Sequence, residues 1–450
     1  MHTMDSSHVA PTFTGTGDIH KFIETRDEPA WMLEIRRTAL EHFNAMEWPT
    51  AQDEEWRRSD IGNYDFDSYE FAGAADAAAP AADLPEGTAG RIDFEGPNCT
   101  GVALSPELAA RGVVFDSLEH LLKRVRAGEE ISEGAVSAVK RLLGGSAAWT
   151  ESRVYPFHYS AWTHGVVLYV PKSVLIEEPF VVNFTEGGDG RMSVPQIVGS
   201  VGAGADATLI QQVQAADEEG EVLLSDGVDL EVGAGGRLTF FARHDLNIDS
   251  TTIGNGFGRV GRDAHMHHYL SSFGGMFSKF RFDVILLDQG ADALIDGIYF
   301  AREDQHMDLR TVQDHRAKHT GSRTFYKGAV KDESRSVYQG LIKVDHDAPQ
   351  TDAYLTNNNL ILNDGARSDS IPSLQINTDD VKCSHGSTTG RIDQRQLFYL
   401  LTRGYNPTEA RVMLVQGFFE EVIARAPESV QEGLRREVEE RLLAEEEDED

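Results

Sequence analysis

The chain has 450 residues, 40% of them apolar, which is enough to bury a large core. Its 74 acidic residues against 41 basic ones give a formal net charge of −33, and such a surface repels nucleic-acid phosphates and anionic membranes. No apolar run approaches the roughly 18 residues of a transmembrane helix. The N-terminal residues also lack the basic and apolar stretches of a secretory signal. We therefore expect a cytoplasmic protein that binds neither nucleic acid nor membrane.

The excess of acidic residues is accompanied by about three Arg for every Lys. Salt screens repulsion between surface charges, so a protein this acidic suits a salt-rich cell. We expect a source among halophilic archaea.

The chain has only two cysteines, Cys99 and Cys383. They allow at most one disulfide, which is unusual in a cytosolic protein, and they form no Cys-x-x-Cys zinc pattern. Because an ordinary iron–sulfur cluster needs about four ligands, mostly thiolates, this chain cannot hold one alone. There is no Gly-Lys pair for a phosphate-binding loop, no Gly-x-Ser-x-Gly and no His-Glu-x-x-His. The chain should therefore not hydrolyse nucleotide through a phosphate-binding loop.

Residues 1–150 are predicted to be mostly helical, with a flexible linker near 72–90 that is rich in Ala, Pro, Gly and Asp. Two further helices are expected within 113–143. In the first long helix, apolar residues recur at three- and four-residue steps, at Met32, Ile35, Ala39 and Phe43.

Residues 151–380 are predicted to form a β-helix core. Short β-rich runs are separated by Gly, Asp and Asn turns, and one turn pattern returns about every 20–30 residues, which indicates stacked turns of a solenoid. The pattern occurs in Val201–Leu209, Val232–Phe240, Leu287–Ile295 and Leu362–Ser370. A β-sandwich is the alternative, but few tight hairpin signals are present.

Residues 381–450 are predicted to be helical again. One helix should end at Arg403-Gly404, and Asn406-Pro407 followed by Glu409 has the pattern of a capped helix start.

Three histidines, His265, His267 and His268, have the composition of a metal site. On a strand, His265 and His267 would share a face. No acidic ligand follows them, however, so we expect exposed histidines on a β surface. His315 and His319 are likewise expected at the surface or in a turn. A cupin-like metal-binding protein remains one alternative function, and a β-helix carbohydrate-active enzyme is another, although it would normally be exported.

The segment Asp379–Gly386 places the Cys383 thiol and the His385 imidazole two residues apart. If this segment is extended, both side chains face one side, and both are suitable ligands for iron or zinc. The spacing supports a ligand pair and a purely structural turn equally.

The residues around this pair resemble the C-terminal signature of the SufD family, components of the SUF iron–sulfur cluster assembly system. The similarity extends over most of the chain and is densest between about 310 and 420. The segments that carry it are Tyr326–Gly328, Ser336–Gly340, Thr351–Tyr354, Asn357–Leu362, Pro372–Ile376, Asp379–Asp393, Gln396–Leu400 and Thr402–Gly404. The sister family SufB has Glu-His-Glu-Ala where this chain has Lys382–Gly386.

This resemblance implies a mainly β fold: a right-handed parallel β-helix flanked by helical N- and C-terminal parts. It implies pairing with a SufB-like paralogue and binding of the SufC-like ABC-type ATPase through the C-terminal helices. By the same resemblance, His385 is the candidate ligand of iron or of the nascent cluster, and Cys383 is a weaker candidate for this role. We expect a transient cluster shared with the SufB-like partner and none on the isolated chain. The expected ATPase-docking residues are Leu397, Phe398, Leu400, Val415, Phe418 and Phe419.

The net charge of −33 yields a prediction about stability. Self-repulsion should destabilise the fold in dilute buffer, and added salt should restore it by screening. Thermal melts from about 0.1 to 3 M KCl, a series in which the Debye length falls from about 10 Å to below 3 Å, should show a rising midpoint. A flat or falling midpoint would contradict the halophilic origin.

Overall fold

The computed structural model describes residues 16–62, 64–71, 81–144 and 151–443. The helices are α1 (Thr16–Thr25), α2 (Ala30–Ala45), α3 (Pro106–Ala110), α4 (Leu118–Ala127), α5 (Glu133–Leu143), α6 (Val154–Ala161), α7 (Gln394–Thr402), α8 (Pro407–Ile423) and α9 (Glu428–Leu443). The early strands are β1 (Glu70–Phe71), β2 (Gly90–Glu95), β3 (Asn98–Leu104), β4 (Val114–Ser117), β5 (His164–Val170), β6 (Phe180–Glu186), β7 (Arg191–Ser193), β8 (Pro195–Val201), β9 (Asp206–Ala215), β10 (Val222–Leu224) and β11 (Gly227–Val232). The later strands are β12 (Arg237–Asp245), β13 (Thr251–Val260), β14 (His265–Ser272), β15 (Phe277–Leu286), β16 (Asp292–Ala301), β17 (His306–His315), β18 (Gly321–Val330), β19 (Arg335–Val344), β20 (Asp352–Ile361), β21 (Arg367–Ile376) and β22 (Lys382–Arg391).

From β5 onward the chain forms a parallel β-solenoid, which confirms the predicted fold class. Each turn contributes one strand to each of two facing sheets, and the described residues contain eight such turns. Sheet 1 contains β5, β8, β11, β13, β15, β17, β19 and β21, and sheet 2 contains β6, β9, β12, β14, β16, β18, β20 and β22. All neighbours within these two series are parallel.

The corners that lead from sheet 1 to sheet 2 explain three of the four repeats in the sequence, and the fourth, Leu362–Ser370, lies at an opposite corner between β20 and β21. At the corners from sheet 1 to sheet 2, a residue with positive φ recurs about every 30 residues, as expected for a solenoid corner. These residues are Ser173, Gly204, Gly235, Asp263, Gly290, His319 and Gln350. Glycine has no Cβ to clash in this conformation, so the corner motif is Gly-rich without being strictly conserved from turn to turn.

Up to the last turn, both sheets are covered on both faces, as parallel sheets require, whereas β21 and β22 contain no buried residue. Between them lies one continuous apolar core that extends from β2 to the last turns. Helices α2, α4 and α5 contribute to an apolar cluster on the outer face of sheet 1. Helices α8 and α9 pack on the outer face of sheet 2 against Phe241, Tyr269 and Phe300.

Two predicted boundaries need correction. Strand β22 pairs in register with β20, so the solenoid extends to Arg391 and the C-terminal helical part begins at Gln394 rather than at 381. At the other end, β2 lies in the N-terminal part yet pairs with β6 and so extends sheet 2. Of the expected linker near 72–90, residues 72–80 lie outside the described ranges.

The predicted helix signals near the C-terminus are confirmed. Helix α7 ends at Thr402, and Gly404 has a φ of 98°. The Asn406 side chain accepts from the Glu409 N–H at 2.8 Å, and Glu409 Oε2 accepts from the Asn406 N–H at 3.0 Å. No helix within the described ranges is long and apolar enough to cross a membrane.

A buried ion pair attaches the N-terminal helices to the first strand of the solenoid. The Arg36 guanidinium is fully buried, donates twice to the Glu28 carboxylate at 2.8 Å and lies 3.8 Å from the Trp162 ring centroid. It also donates to the Trp162 carbonyl oxygen at 2.9 Å, just before β5 begins. Burial alone would raise the pKa of Glu28, but Arg36 and Arg26 hold it below 4.5.

We predict that Glu28→Gln destabilises the fold by about 3–5 kcal/mol, because it leaves the Arg36 charge buried without a partner. Since the folded pKa of Glu28 is lowered, the contribution of the pair is present above the unfolded pKa and is lost as the pH falls through the folded value. Denaturant unfolding at pH 7 and at pH 3 tests both points. Glu34→Gln, at an exposed position of α2, the helix that carries Arg36, is the control and should change stability by less than about 0.5 kcal/mol.

Candidate functional site

Cys383 and His385 lie on β22, the last strand of sheet 2. They are in register with Ala353 and Leu355, which are buried in the solenoid core, so they occupy the inner-facing positions of the final turn. Cys383 is half-buried against the core, whereas His385 is exposed. The structure therefore places the thiol and the imidazole on one face, as the i, i+2 spacing predicted.

The inner face of the last turn is open. Sheet 1 ends at β21 and sheet 2 at β22, and among the described residues no further strand covers either one. Leu374 and Ile376 occupy inner-facing positions of β21 but remain 40% and 36% exposed. In earlier turns the corresponding residues, such as Ile342 and Val344, are buried. The open end therefore presents apolar surface beside the Cys383–His385 pair.

The two cysteines are far apart. Cys99 is on β3 and Cys383 on β22, at opposite ends of a ten-strand path, so roughly 40 Å separates them at about 4.8 Å per strand. Both are free thiols. Burial raises the pKa of Cys99 to about 12 and raises the pKa of Cys383 above 9. Burial thus disfavours the thiolate form of Cys383, which is the form that binds metals.

The three clustered histidines separate onto two faces of β14. His265 Nδ1 lies 3.1 Å from Asp292 Oδ2, and His267 Nε2 lies 2.9 Å from Asp296 Oδ2. His268 faces inward and is fully buried, with its ring 3.6 Å from that of Phe282, and burial holds its pKa well below 6.5. The expectation of exposed histidines is therefore wrong for His268. Across the described ranges, no three His, Cys, Asp or Glu side chains are arranged to hold a metal ion.

His315 and His319 also lie in different environments. His319 lies in a corner with a φ of 58°, as predicted for a turn residue. His315 is buried inside the solenoid, where its two ring nitrogens lie 2.8 Å from the hydroxyls of Thr320 and Ser322. The prediction of a surface position for His315 is wrong because β17 directs it inward.

The expected docking residues do not form one surface. Val415 and Phe419 of α8 are buried in the chain's own contact with sheet 2, and Phe418 is half-buried there. On α7, Phe398 is 67% exposed, and Leu397 and Leu400 are half-buried. The burial of Val415 and Phe419 removes them from an exposed docking face.

Further exposed apolar residues, missed in the sequence, extend this face. They are Tyr399, Leu401, Tyr405 and Met413. Helix α7 has no buried residue of its own and contacts α8. The sequence predicted a helix that ends at Arg403-Gly404 and carries docking residues, but it did not show which apolar residues pack within the chain.

The segment that contains β22, α7 and the start of α8 differs in charge from the rest of the chain. Residues 381–413 contain five basic and two acidic residues, whereas the remainder contains 36 basic and 72 acidic ones. Arg395 and Arg411 make no ion pair within the described part of the chain. The exposed apolar surface of α7 is thus bordered by cations on an otherwise acidic protein.

Comparisons with known proteins agree with this geometry. Residues 183–418 match the model of the SUF system FeS cluster assembly SufBD core domain. An iron–sulfur cluster assembly SufBD family protein of Mycobacterium bovis is 32% identical over 299 residues, 64% of this chain and 74% of the relative. The SufD of Escherichia coli is 36% identical over 175 residues, 39% of this chain and 40% of that protein. The SufD of Bacillus subtilis is 23% identical over 421 residues, 91% of this chain and 93% of the relative.

Proposed function

Because the chain belongs to the SufBD family of SUF-system iron–sulfur cluster assembly proteins, we propose that it is a SufD-like subunit without catalytic activity of its own. In this proposal it works in the cytoplasm and pairs with a SufB-like paralogue through the open end of its solenoid. It binds a SufC-like ATPase through α7. The nascent cluster is the cargo of the assembly and is shared with the SufB-like partner.

The observation that carries this proposal is the uncovered last turn. A solenoid turn buries its inner face only against its neighbours, so a terminal turn needs a cap. Helices α8 and α9 do not supply one, because they pack on the outer face of sheet 2. Leu374 and Ile376 stay exposed as a result, and exposed apolar surface of this kind indicates a protein partner.

The chemistry at the open end supports the role in cluster assembly. A neutral imidazole is a competent iron ligand, and histidine replaces cysteine in some natural clusters. His385 and Cys383 offer at most two ligands on one face, while a cluster needs about four. A partner that covers this face would bring the remaining ligands, which explains how a chain with two cysteines serves in cluster assembly.

The α7 surface supports the second contact. Phe398 and Tyr399 are 67% and 56% exposed, and α7 begins three residues after β22 ends. The sequence contains no phosphate-binding loop, so nucleotide hydrolysis must come from another subunit. An ATPase bound at α7 would lie next to the open end and could act on it directly.

We predict that His385→Ala preserves folding and complex formation but reduces cluster formation, since an exposed imidazole loses few contacts within the chain. Cys383→Ser should have a milder effect, because Cys383 is half-buried against the core and burial disfavours its thiolate form. The measurement is anaerobic reconstitution of the purified complex, with visible cluster absorbance recorded beside complex yield. Wild-type cluster yield in a stable His385→Ala complex would rule out the ligand role. A drop in melting temperature and partner binding together would instead indicate a structural role.

We further predict that the double variant Phe398→Glu/Leu401→Glu abolishes co-purification with the SUF ATPase, because it places charges in an apolar contact. Far-UV circular dichroism should be unchanged, since neither residue is buried. Leu175→Glu is the matched control, with a leucine that is 64% exposed at the opposite end of the solenoid, and it should bind normally. Equal ATPase recovery with the double variant and the control would reject this surface.

A further inference from the structure

A second pair of ligand-type side chains lies in the first solenoid turn, far from the open end. His164 is the first residue of β5 and Glu186 the last residue of β6. Their Nε2 and Oε1 atoms are 3.5 Å apart, and the two side chains are only 1% and 2% exposed. Seven strand steps of sheet 2 separate β6 from β22, which at about 4.8 Å per strand is roughly 34 Å. This pair is therefore separate from Cys383 and His385.

The solenoid core surrounds the pair with apolar groups. The rings of Phe94 and Phe184 lie 5.3 and 5.5 Å from the His164 ring, centroid to centroid. In the next turn, the residues in register with the histidine and the glutamate are Pro195 and Ala215, which carry no charge. A carboxylate in such surroundings is strongly destabilising unless a hydrogen bond or a positive charge compensates it.

Hydrogen bonds within the chain do not supply this compensation. Among the described residues, neither His164 Nε2 nor Glu186 Oε1 has a hydrogen-bond partner. A protonated imidazole would donate to the carboxylate at about 2.7–2.9 Å, the usual length of a charge-assisted hydrogen bond. The observed separation of 3.5 Å is well beyond that range. The two atoms therefore face each other without a proton shared between them.

The other ring nitrogen of His164 is held by the neighbouring residue. The Thr163 hydroxyl bonds the Val194 carbonyl oxygen at 3.5 Å, and in that bond only the hydroxyl can donate. The Thr163 oxygen is then the acceptor for the His164 Nδ1–H, at 2.8 Å. A proton on Nδ1 leaves the lone pair of Nε2 available, which is the orientation that second-shell hydrogen bonds give to metal-binding histidines.

The distance between the two atoms suits a shared metal ion. Zinc bonds to imidazole nitrogen and carboxylate oxygen are about 2.0–2.2 Å long, so two such ligands at a tetrahedral angle lie about 3.4 Å apart. The Nε2 and Oε1 atoms of His164 and Glu186 are 3.5 Å apart. An imidazole beside a carboxylate suits Zn²⁺, Fe²⁺ or Co²⁺ and disfavours Mg²⁺ and Ca²⁺, which take oxygen ligands.

A cleft of about 380 Å³ gives access to the pair, because Glu186 and Thr163 are among its lining residues. The Ser193 side chain also lines it, and its buried hydroxyl has no hydrogen-bond partner in the described part of the chain. The volume is enough for several water molecules. Water in the cleft can therefore complete the coordination of an ion held by two side chains.

The charge of the cleft favours a cation. Among the described lining residues, Glu95, Glu186 and Asp217 are acidic, and Arg191 is basic. The same loops continue into a second cleft with an acidic lining, which attracts cations toward this corner of the solenoid. The acidic residues of that cleft are Asp189, Glu218, Glu219, Glu221 and Asp249.

We propose that His164 and Glu186 bind one divalent transition-metal ion, with water in the cleft as the remaining ligands. This site goes beyond the proposed function and requires no partner protein. Closed structural zinc sites have four protein ligands. An ion held by two side chains and water should instead exchange with the solution.

Thermal melts of the full chain, stripped of metal with a chelator, test the site with Zn²⁺ as the probe. A ligand that binds only the folded state raises the melting midpoint. We expect Zn²⁺ to raise the wild-type midpoint, and His164→Gln and Glu186→Gln to abolish this shift. His346→Gln is the matched control, because His346 lies 3.3 Å from Asp347 but both side chains are at least 90% exposed, and it should keep the full shift. A Zn²⁺ shift that persists in Glu186→Gln would overturn the proposal.

Two further measurements locate the ion. The double variant Cys383→Ser/His385→Ala should keep the Zn²⁺ shift, since it changes only the open end. X-ray absorption of the chain loaded with one equivalent of Zn²⁺ should show only nitrogen and oxygen ligands, at about 2.0–2.2 Å. A sulfur ligand at about 2.3 Å, or loss of the shift in the double variant, would place the ion at Cys383 instead and refute the site.

The metal-free variants distinguish a metal site from a buried ion pair. If a protonated His164 pairs with Glu186, Glu186→Gln should lower the metal-free midpoint, because it leaves a charge buried alone, and Zn²⁺ should not stabilise the wild type. That result would refute the proposal. For a metal site, the metal-free midpoint of Glu186→Gln should equal or exceed that of the wild type. If Glu186→Gln does not fold, Glu186→Asp keeps the charge on a shorter side chain and should weaken Zn²⁺ binding by at least about tenfold in competition with a chromophoric chelator.

Discussion

The main-chain ladder between successive solenoid turns is the interaction on which the rest of this structure depends. Each turn satisfies the backbone of the previous one and buries its inner face, so the core exists only where a neighbouring turn is present. At the N-terminal end, β3 pairs antiparallel with β2, and β4 pairs antiparallel with β5. At the C-terminal end nothing closes the sheets within the described residues. The two ends of the solenoid therefore differ in how their sheets are closed.

The helices that cover the solenoid are attached by ion pairs as well as by apolar contacts. On sheet 2, Arg425 of the α8–α9 connection bonds the buried Asp296 carboxylate at 3.0 Å, and Lys327 donates to the Phe418 carbonyl oxygen at 2.7 Å. Near the end of α9, Arg441 bonds Asp245 at 2.7 Å. These contacts hold α8 and α9 against the sheet, whereas α7 contacts α8 and has no buried residue. The two parts of the C-terminal helical segment therefore serve different purposes: α8 and α9 complete the fold, and α7 presents a surface.

Three features that bear on function lie within one short stretch of chain. The Cys383–His385 pair and the free β22 edge share a strand, and α7 follows that strand directly. This stretch is also the electropositive part of a chain with a net charge of −33. The partner contacts proposed at α7 and at β22 would therefore lie close together along the chain.

The sequence by itself determined the solenoid, its helical flanks and the identity of the Cys383–His385 pair, because these follow from local rules. The corner pattern recurs about every 20–30 residues, caps such as Asn406–Glu409 are contiguous, and i, i+2 residues share a strand face. Other properties depended on which element covers which face. Val415 and Phe419 are buried while Phe398 is exposed, and His268 and His315 face inward, because strands and helices that are remote in sequence pack against them. Only the tertiary structure showed that the solenoid includes β22 and ends uncovered there, since the free edge of a strand is defined by the neighbour it lacks.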